Sequence, residues 1–276
     1  MDWLSWVVLG VVQGLTEFIP VSSSGHLVLA QTFLGLRLPG VLLEVTVHVA
    51  TAAAVVVLFA RDIGRMVAAV LRWPLGRAAA SPEDPGWRRL AAAIVLATAV
   101  TSVIGLSLEP VFRGAFEVPA LAAGMLLVTG TVLSLSAKWR RGRRQLLDLG
   151  PVDAVWVGLA QGFAILPGIS RSGMTIVGGL GRGLAGPSAA RFSFLLSLPS
   201  ILGAAVVEFA GSEGFEAALG AGPPAAGLAL AFAAAFVSGL AAMILLLRVV
   251  RSGHLHRFAW YCWVVGGVSL VWLILG

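Results

Sequence analysis

The stretch QGLTEFIPVSSSGH, Gln13 to His26, sets a carboxylate, a run of hydroxyls and an imidazole inside apolar sequence. These are groups for acid–base and nucleophilic chemistry. Ser23 is a candidate nucleophile and His26 a nearby base or proton shuttle. Glu17 can orient the histidine, act as base, or hold a divalent cation that bridges phosphate oxygens. A second stretch, PGISRSGMT from Pro167, has the groups of an anion site. Pro167–Gly168 breaks the chain, and a helix starting near Ser172 would turn unpaired N–H groups into the space before it. Ser170, Ser172 and Thr175 add hydroxyl donors, and Arg171 brings a permanent charge on a fork that matches phosphate oxygens. Gln13, Ser22 and Ser24 extend the candidate binding set for the same anion. Plainer roles stand beside these. At least one serine is expected to cap a helix, His26 alone could be an amphipathic helix-end residue, and Arg171 could pair internally with Glu17.

The rest of the chain says where this chemistry takes place. Of 276 residues, 58% are hydrophobic and 12% charged, and the mean hydropathy is +0.95. Soluble domains carry roughly 25% charged residues, so an integral membrane protein is expected. Backbone groups in lipid must be satisfied internally, and with few alternating strand-like stretches a helical bundle is the solution. The net charge of +6 does not point to nucleic acid. The basic residues fall in short loops between apolar runs, where membrane orientation requires them. Cys262 is the only cysteine, so no intrachain disulfide forms. The start, MDWLSWVVLG, has an acid where a secretory leader is basic and lacks a small-residue cleavage site, so it is expected to be part of the mature protein.

Six segments read as full spans, about 41–60, 89–109, 116–137, 188–210, 224–248 and 257–275. Two apolar regions, about 3–37 and 152–186, are interrupted by polar residues, proline and glycine. The 61–89 loop holds Arg61, Arg65, Arg72, Arg77, Arg88 and Arg89, 138–144 reads KWRRGRR, and 248–257 holds Arg248, Arg251 and Arg257. All three belong on the cytoplasmic side. The connections bearing Glu109 and Glu117, with a single Arg113, and Glu213 and Glu216 belong outside. Counting crossings then makes 152–186 begin and end inside and makes 3–37 dip in from outside.

That parity predicts two halves of opposite orientation, each a hairpin plus three spans. A shift of 148 residues without a gap supports it, because Gly10, Gln13, Gly14, Ser22, Ser24 and Gly25 fall on Gly158, Gln161, Gly162, Ser170, Ser172 and Gly173. The expected fold is therefore an all-α polytopic membrane protein with an inverted-topology repeat, six full transmembrane helices and two re-entrant or broken helix hairpins. The chain forms a single integral membrane domain, with repeats at about 1–148 and 149–276, and its two hairpins meet near mid-membrane. An arginine at that depth needs a partner, and the inverted repeat would bring Glu17 and His26 towards Arg171. Glu44 and His48, four apart on one helix face, could support the site or form part of a metal site. His254 and His256 lie in a basic loop and read as solvated or at headgroups; Trp260, Trp263 and Trp272 read as interfacial anchors or lipid-facing bulk.

QGLTEFIPVSSSGH and PGISRSGMT closely resemble the two signature motifs of the undecaprenyl-diphosphate phosphatase family of bacterial inner membranes, the bacitracin-resistance type. ARFSFLLSLPSILGA from Ala190 and LEVTVHVATAAAVVVLF from Leu43 resemble other family segments. The resemblance implies hydrolysis of undecaprenyl diphosphate to undecaprenyl phosphate and phosphate, recycling a lipid carrier for cell-wall synthesis. It also implies a multi-pass protein of the cytoplasmic membrane with re-entrant helices, a site opening to the periplasmic side and a homodimer. A divalent cation, Mg2+ or Ca2+, is implied as cofactor, with ligands that the sequence does not assign. By motif position the catalytic set is Glu17, Ser23, His26 and Arg171, with Ser170 beside Arg171 on phosphate. The family often has a second carboxylate where this chain has Gln13, and an amide is neither a base nor a strong cation ligand. Two mechanisms stay open, attack by Ser23 or by an activated water. Two rival functions also stand: a lipid-phosphate transporter or flippase using the same inverted-repeat site, and an ion channel, which would need more lining charge.

Overall fold

The computed structural model describes residues 3–34, 41–75, 81–139, 142–210 and 224–275. Among them the secondary structure is helical, with one isolated bridge between Arg144 and Leu184. The first half holds α1 (Trp3–Phe18), α2 (Ser23–Leu34), α3 (Val41–Leu58), α4 (Ala60–Arg72), α5 (Asp84–Ser107), α6 (Glu109–Phe116) and α7 (Pro119–Leu135). The second holds α8 (Pro151–Phe163), α9 (Arg171–Gly181), α10 (Gly186–Ala210), α11 (Ala225–Arg251) and α12 (Phe258–Leu275). The 211–223 connection with Glu213 and Glu216, and Arg77, Arg140 and Arg141 of the basic loops, lie outside the described residues.

Among the described residues, five helices are long and apolar enough to cross a membrane: Asp84–Ser107, Pro119–Trp139, Gly186–Val206, Ala225–Arg251 and Leu255–Leu275. The chain is thus a multi-pass membrane protein. α3 would be part of a sixth span only together with α4, from which it is bent by 77°. Two segments expected as loops are helices. In α4, charged and apolar residues segregate to opposite faces, which suits a helix lying along an interface; Arg61 and Arg65 stay exposed while Asp62 and Ala69 are buried. α6 carries the Glu109–Arg113 ion pair one turn apart.

Asp62, Asp84 and Asp153, near the basic segments, have arginine partners. Arg191 of α10 grips both oxygens of Asp62 at 2.7 and 2.6 Å. Asp153 accepts from Arg144 at 2.6 Å and Arg182 at 2.8 Å, tying the start of α8 to the end of α9. Burial disfavours its charge, but Arg144, the Gly150 amide and Arg182 outweigh that and hold the Asp153 carboxyl well below the usual carboxylate range.

α1 lies along α11 of the other half, and α8 lies along α5. Glycines on α1 and on α8 permit the two approaches. A Cβ on Gly14 would stand 2.8 Å from the amide nitrogen of Gly239, and one on Gly158 would stand 2.7 Å from the carbonyl oxygen of Ala97. Neither obstacle is a flexible side chain, so α8 would have to move off α5. Gly158→Ala is expected to cost about 1–3 kcal/mol, in the range of overpacked cores. The check is a lowered Tm in detergent, with Gly64→Ala, whose Cβ meets open space, leaving Tm unchanged.

Buried aromatics then fix where α1 ends. Phe18 meets Phe194 of α10 edge to face, ring centroids 5.6 Å apart, and Phe194 in turn meets Phe59 at 5.9 Å. Glu17 is the residue just before this anchor.

Candidate functional site

Both broken hairpins turn into a new helix by the same device. Ser22 sits at φ 67°, and its Oγ accepts from the Gly25 amide at 3.2 Å. Ser170 caps α9 by accepting from the Gly173 amide at 3.1 Å. The next serines copy each other too, Ser22 to Ser24 at 3.3 Å and Ser170 to Ser172 at 3.2 Å. With the capping position occupied by serine in each half, the first helical residues are Ser23 in α2 and Arg171 in α9. These two are equivalent under the 148-residue shift. One half offers a nucleophile where the other offers a cation. Thr129 of α7 holds the second turn shut, donating to the Gly168 carbonyl at 2.8 Å and accepting from the Ser170 amide at 3.0 Å.

Glu17 joins the two. Its Oε1 accepts from Arg171 Nη2 at 2.5 Å, and its Oε2 accepts from the Ser23 hydroxyl at 3.4 Å and from Gln13 Nε2 at 3.0 Å. Arg171 thereby has the buried partner expected for an intramembrane charge. The other terminal nitrogen, Nη1, is buried with no hydrogen-bond partner, leaving a donor free for an incoming anion. Gln13 Nε2 also lies 3.1 Å from Nε2 of His48. Because His48 Nδ1 is 2.9 Å from the Glu44 carbonyl oxygen, which only accepts, Nδ1 carries the proton and Nε2 receives the Gln13 amide. That nitrogen is 3.9 Å from Glu17 Oε2. An imidazole therefore stands beside the carboxylate where the sequence shows only an amide.

These groups form the polar end of a cavity of about 620 Å3, lined among others by Gln13, Glu17, Ser23, His26, His48 and Arg171. Ser22, Ser24, Glu44 and Ser170 also line it, and the remaining wall is mostly apolar side chains of α1, α3 and α10. A charged head with an apolar length is what such a space accommodates.

Three expectations need correction. His26 does not serve Ser23 in this arrangement: Nδ1 is 2.8 Å from the Ser22 carbonyl oxygen and Nε2 is 2.8 Å from the Tyr261 hydroxyl. With both ring nitrogens engaged, the proton acceptor that Ser23 meets is Glu17. Arg171, likewise, pairs with Glu17 and makes no bond to His26. Ser172 and Thr175 do not reach the cavity. Thr175 is fully buried, its hydroxyl 2.9 Å from the Arg171 carbonyl and 2.6 Å from Ser193 Oγ, and Ser172 is spent on Ser170. They stiffen the start of α9 instead of contacting an anion.

Two contributors escaped the sequence reading in their roles. Tyr261 is the only tyrosine, but it lies in an otherwise apolar span and no spacing connects it to His26. His48 was visible beside Glu44, but its link to Gln13 needs the packing of α1 on α3. As for metal, no group of three or more His, Cys, Asp or Glu side chains is close enough to hold an ion among the described residues. Glu17 is the carboxylate that touches Ser23 and Arg171. Mg2+ commonly takes one or two carboxylates plus substrate phosphate oxygens, so this donor set fits a cation bound together with a diphosphate and not a cage built by protein alone.

Comparison with known proteins agrees with this chemistry. A family model described as bacitracin resistance protein BacA matches residues 6–268. Proteins named undecaprenyl-diphosphatase are similar over nearly full length. The one from Desulfosudis oleivorans is 42% identical over 278 residues, 98% of either chain. That of Syntrophotalea carbinolica is 44% identical over 271 residues, 97% of this chain and 98% of its own. That of Salinibacter ruber is 41% identical over 281 residues, 99% of this chain and 100% of its own.

Proposed function

The chain belongs to the bacitracin resistance protein BacA family, and from that premise we propose that it is an undecaprenyl-diphosphate phosphatase, a phosphoric anhydride hydrolase that releases phosphate from the lipid diphosphate. The carrying observation is the Glu17 carboxylate between the Ser23 hydroxyl and Arg171, which puts a nucleophile, its base and an anion clamp at one end of a lipid-sized cavity.

In the proposed sequence of events the diphosphate enters with its prenyl tail along the apolar wall. Arg171 transfers its donors from Glu17 to phosphate oxygens, which both neutralises the substrate and frees the carboxylate to accept a proton. Ser23 Oγ attacks the terminal phosphorus as its proton passes to Glu17. The bond from that phosphorus to the bridging oxygen breaks and prenyl monophosphate leaves. Water then opens the phosphoserine, giving inorganic phosphate and restoring the hydroxyl. His48, whose Nε2 stands 3.9 Å from Glu17 Oε2, is the base placed to take the proton on from Glu17 directly, with Gln13 holding the two side chains in place. His26 and Tyr261 hold the Ser22 turn that presents Ser23. A divalent cation, Mg2+ or Ca2+, would be held by Glu17 with diphosphate oxygens and would supply further charge neutralisation.

Position along the helices supports one side of the membrane for the site. α3 contributes Leu43 to His48 and α10 contributes Ser200 to Ala205 to the cavity, the ends remote from Arg61 and Arg191. By the positive-inside rule this supports a site opening to the periplasmic face of the cytoplasmic membrane. Reciprocal packing of α1 on α11 and α8 on α5 supports inverted repeats of about 1–148 and 149–276.

Purified protein in detergent, given a prenyl diphosphate, should release inorganic phosphate and leave the prenyl monophosphate. Stoichiometric binding without release would overturn the hydrolase reading in favour of a lipid-phosphate carrier.

A further inference from the structure

A second cavity, of about 630 Å3, takes no part in the mechanism above. It is a groove between the end of α1 and the start of α12. Its sides are apolar, with Leu15, Ile19 and Val21 facing Val249 and Phe258. One end carries Arg257, which is exposed, and His254, whose Nδ1 is 2.8 Å from Ser252 Oγ. Thr16 and Tyr261 also line the groove. Thr16 lines this groove and the catalytic cavity alike, and the Tyr261 hydroxyl bonds His26, which lines the catalytic cavity. The two spaces thus share Thr16 and are linked through the His26–Tyr261 pair.

The chemistry of the groove defines its ligand. A cationic end on the side of the basic loops and a single apolar furrow suit an anionic head on one hydrocarbon chain. A glycerophospholipid brings two chains to that furrow and only a singly charged diester to Arg257; a phosphate monoester brings one chain and more charge for a guanidinium fork. We propose that this groove is a second lipid site that binds prenyl monophosphate, with its phosphate at Arg257 and its chain towards Tyr261. This rests on the hydrolase reading, since the ligand is that reaction's product. A chain pressing on Tyr261 alters how His26 is held, so the occupied groove slows turnover at the other cavity.

Product inhibition of phosphate release tests this. In wild type, added prenyl monophosphate should lower kcat as well as raise KM. Arg257→Gln, and separately Val249→Trp to fill the furrow, should keep the uninhibited turnover and raise the inhibitor concentration that halves kcat by about tenfold, leaving competitive inhibition. Equilibrium dialysis of labelled prenyl monophosphate should count two per chain in wild type and one in each variant. Purely competitive inhibition with one bound per chain in wild type would overturn the proposal. So would displacement of the second equivalent by phosphatidylglycerol as effectively as by prenyl phosphate, which would make the groove an ordinary lipid-facing surface. Absence of any phosphate release would remove the hydrolase reading instead, and the dialysis count alone would then support the groove at two or overturn it at one.

Discussion

Arg171→Ala is expected to lower kcat/KM for phosphate release by at least about 1,000-fold, the effect of removing an arginine that meets charge developing on a transferring phosphoryl group. Two losses act together. The unpaired Nη1 donor disappears, and so does the charge that orders Glu17 at 2.5 Å. The side chain of Glu17 is only 8% exposed, so the variant also strands a buried carboxylate, a loss of about 3–5 kcal/mol when one partner of a buried pair is removed. A lowered Tm alone would therefore not identify a catalytic role. Arg171→Lys separates the two: it keeps a cation for Glu17 but lacks the planar fork. It should melt close to wild type yet remain at least about 100-fold impaired, measured as initial rates of phosphate release. Full activity in Arg171→Lys at wild-type Tm would mean that Arg171 only balances Glu17.

How much of this was legible beforehand depends on the range of each signal. The helix break at Pro167–Gly168 is local, and local chemistry named it; the first region showed only as an apolar stretch interrupted by polar residues, proline and glycine. Loop arginines gave the span parity, because charge asymmetry acts on each short connection separately. The same habit hid α4: its arginines were counted as a loop, whereas their spacing puts them on one face of a helix, with Asp62 at the border of that face paired to Arg191. Within the site, Glu17 to Arg171 was reachable only because the repeat supplied the missing distance information. His48 to Gln13 and His26 to Tyr261 had no such aid. They are 35 and 235 residues apart, and which face of α3 or α12 turns inwards is decided by packing. Ser172 and Thr175 show the converse error. Residue type suggested anion donors, but their hydroxyls are consumed by the turn that aims Ser170 and Arg171.

Ser23→Ala and Glu17→Gln decide who attacks phosphorus. If the serine is the nucleophile, Ser23→Ala should lose at least about 1,000-fold in kcat, since the remaining donors only bind and polarise the diphosphate. Acid quenching of wild type during turnover should then trap phosphate on Ser23, seen as a mass increase on the peptide that contains it. Glu17→Gln should lose on the order of 100- to 10,000-fold, the range for a positioned general base, with the trapped phosphoserine reduced in step because its formation is what Glu17 assists. The amide keeps the shape of the Glu17 site, so Tm should fall less than in Arg171→Ala. Water attack makes the opposite pattern: Glu17→Gln is still crippled, but Ser23→Ala keeps most of its activity and nothing is trapped. The geometry favours the first pattern, because the hydroxyl that reaches Glu17 Oε2 is that of Ser23, placed at the first residue of α2 by the cap at Ser22. A Ser23→Ala enzyme turning over within threefold of wild type would remove the covalent step and leave Glu17, with His48 behind it, as the base that activates water.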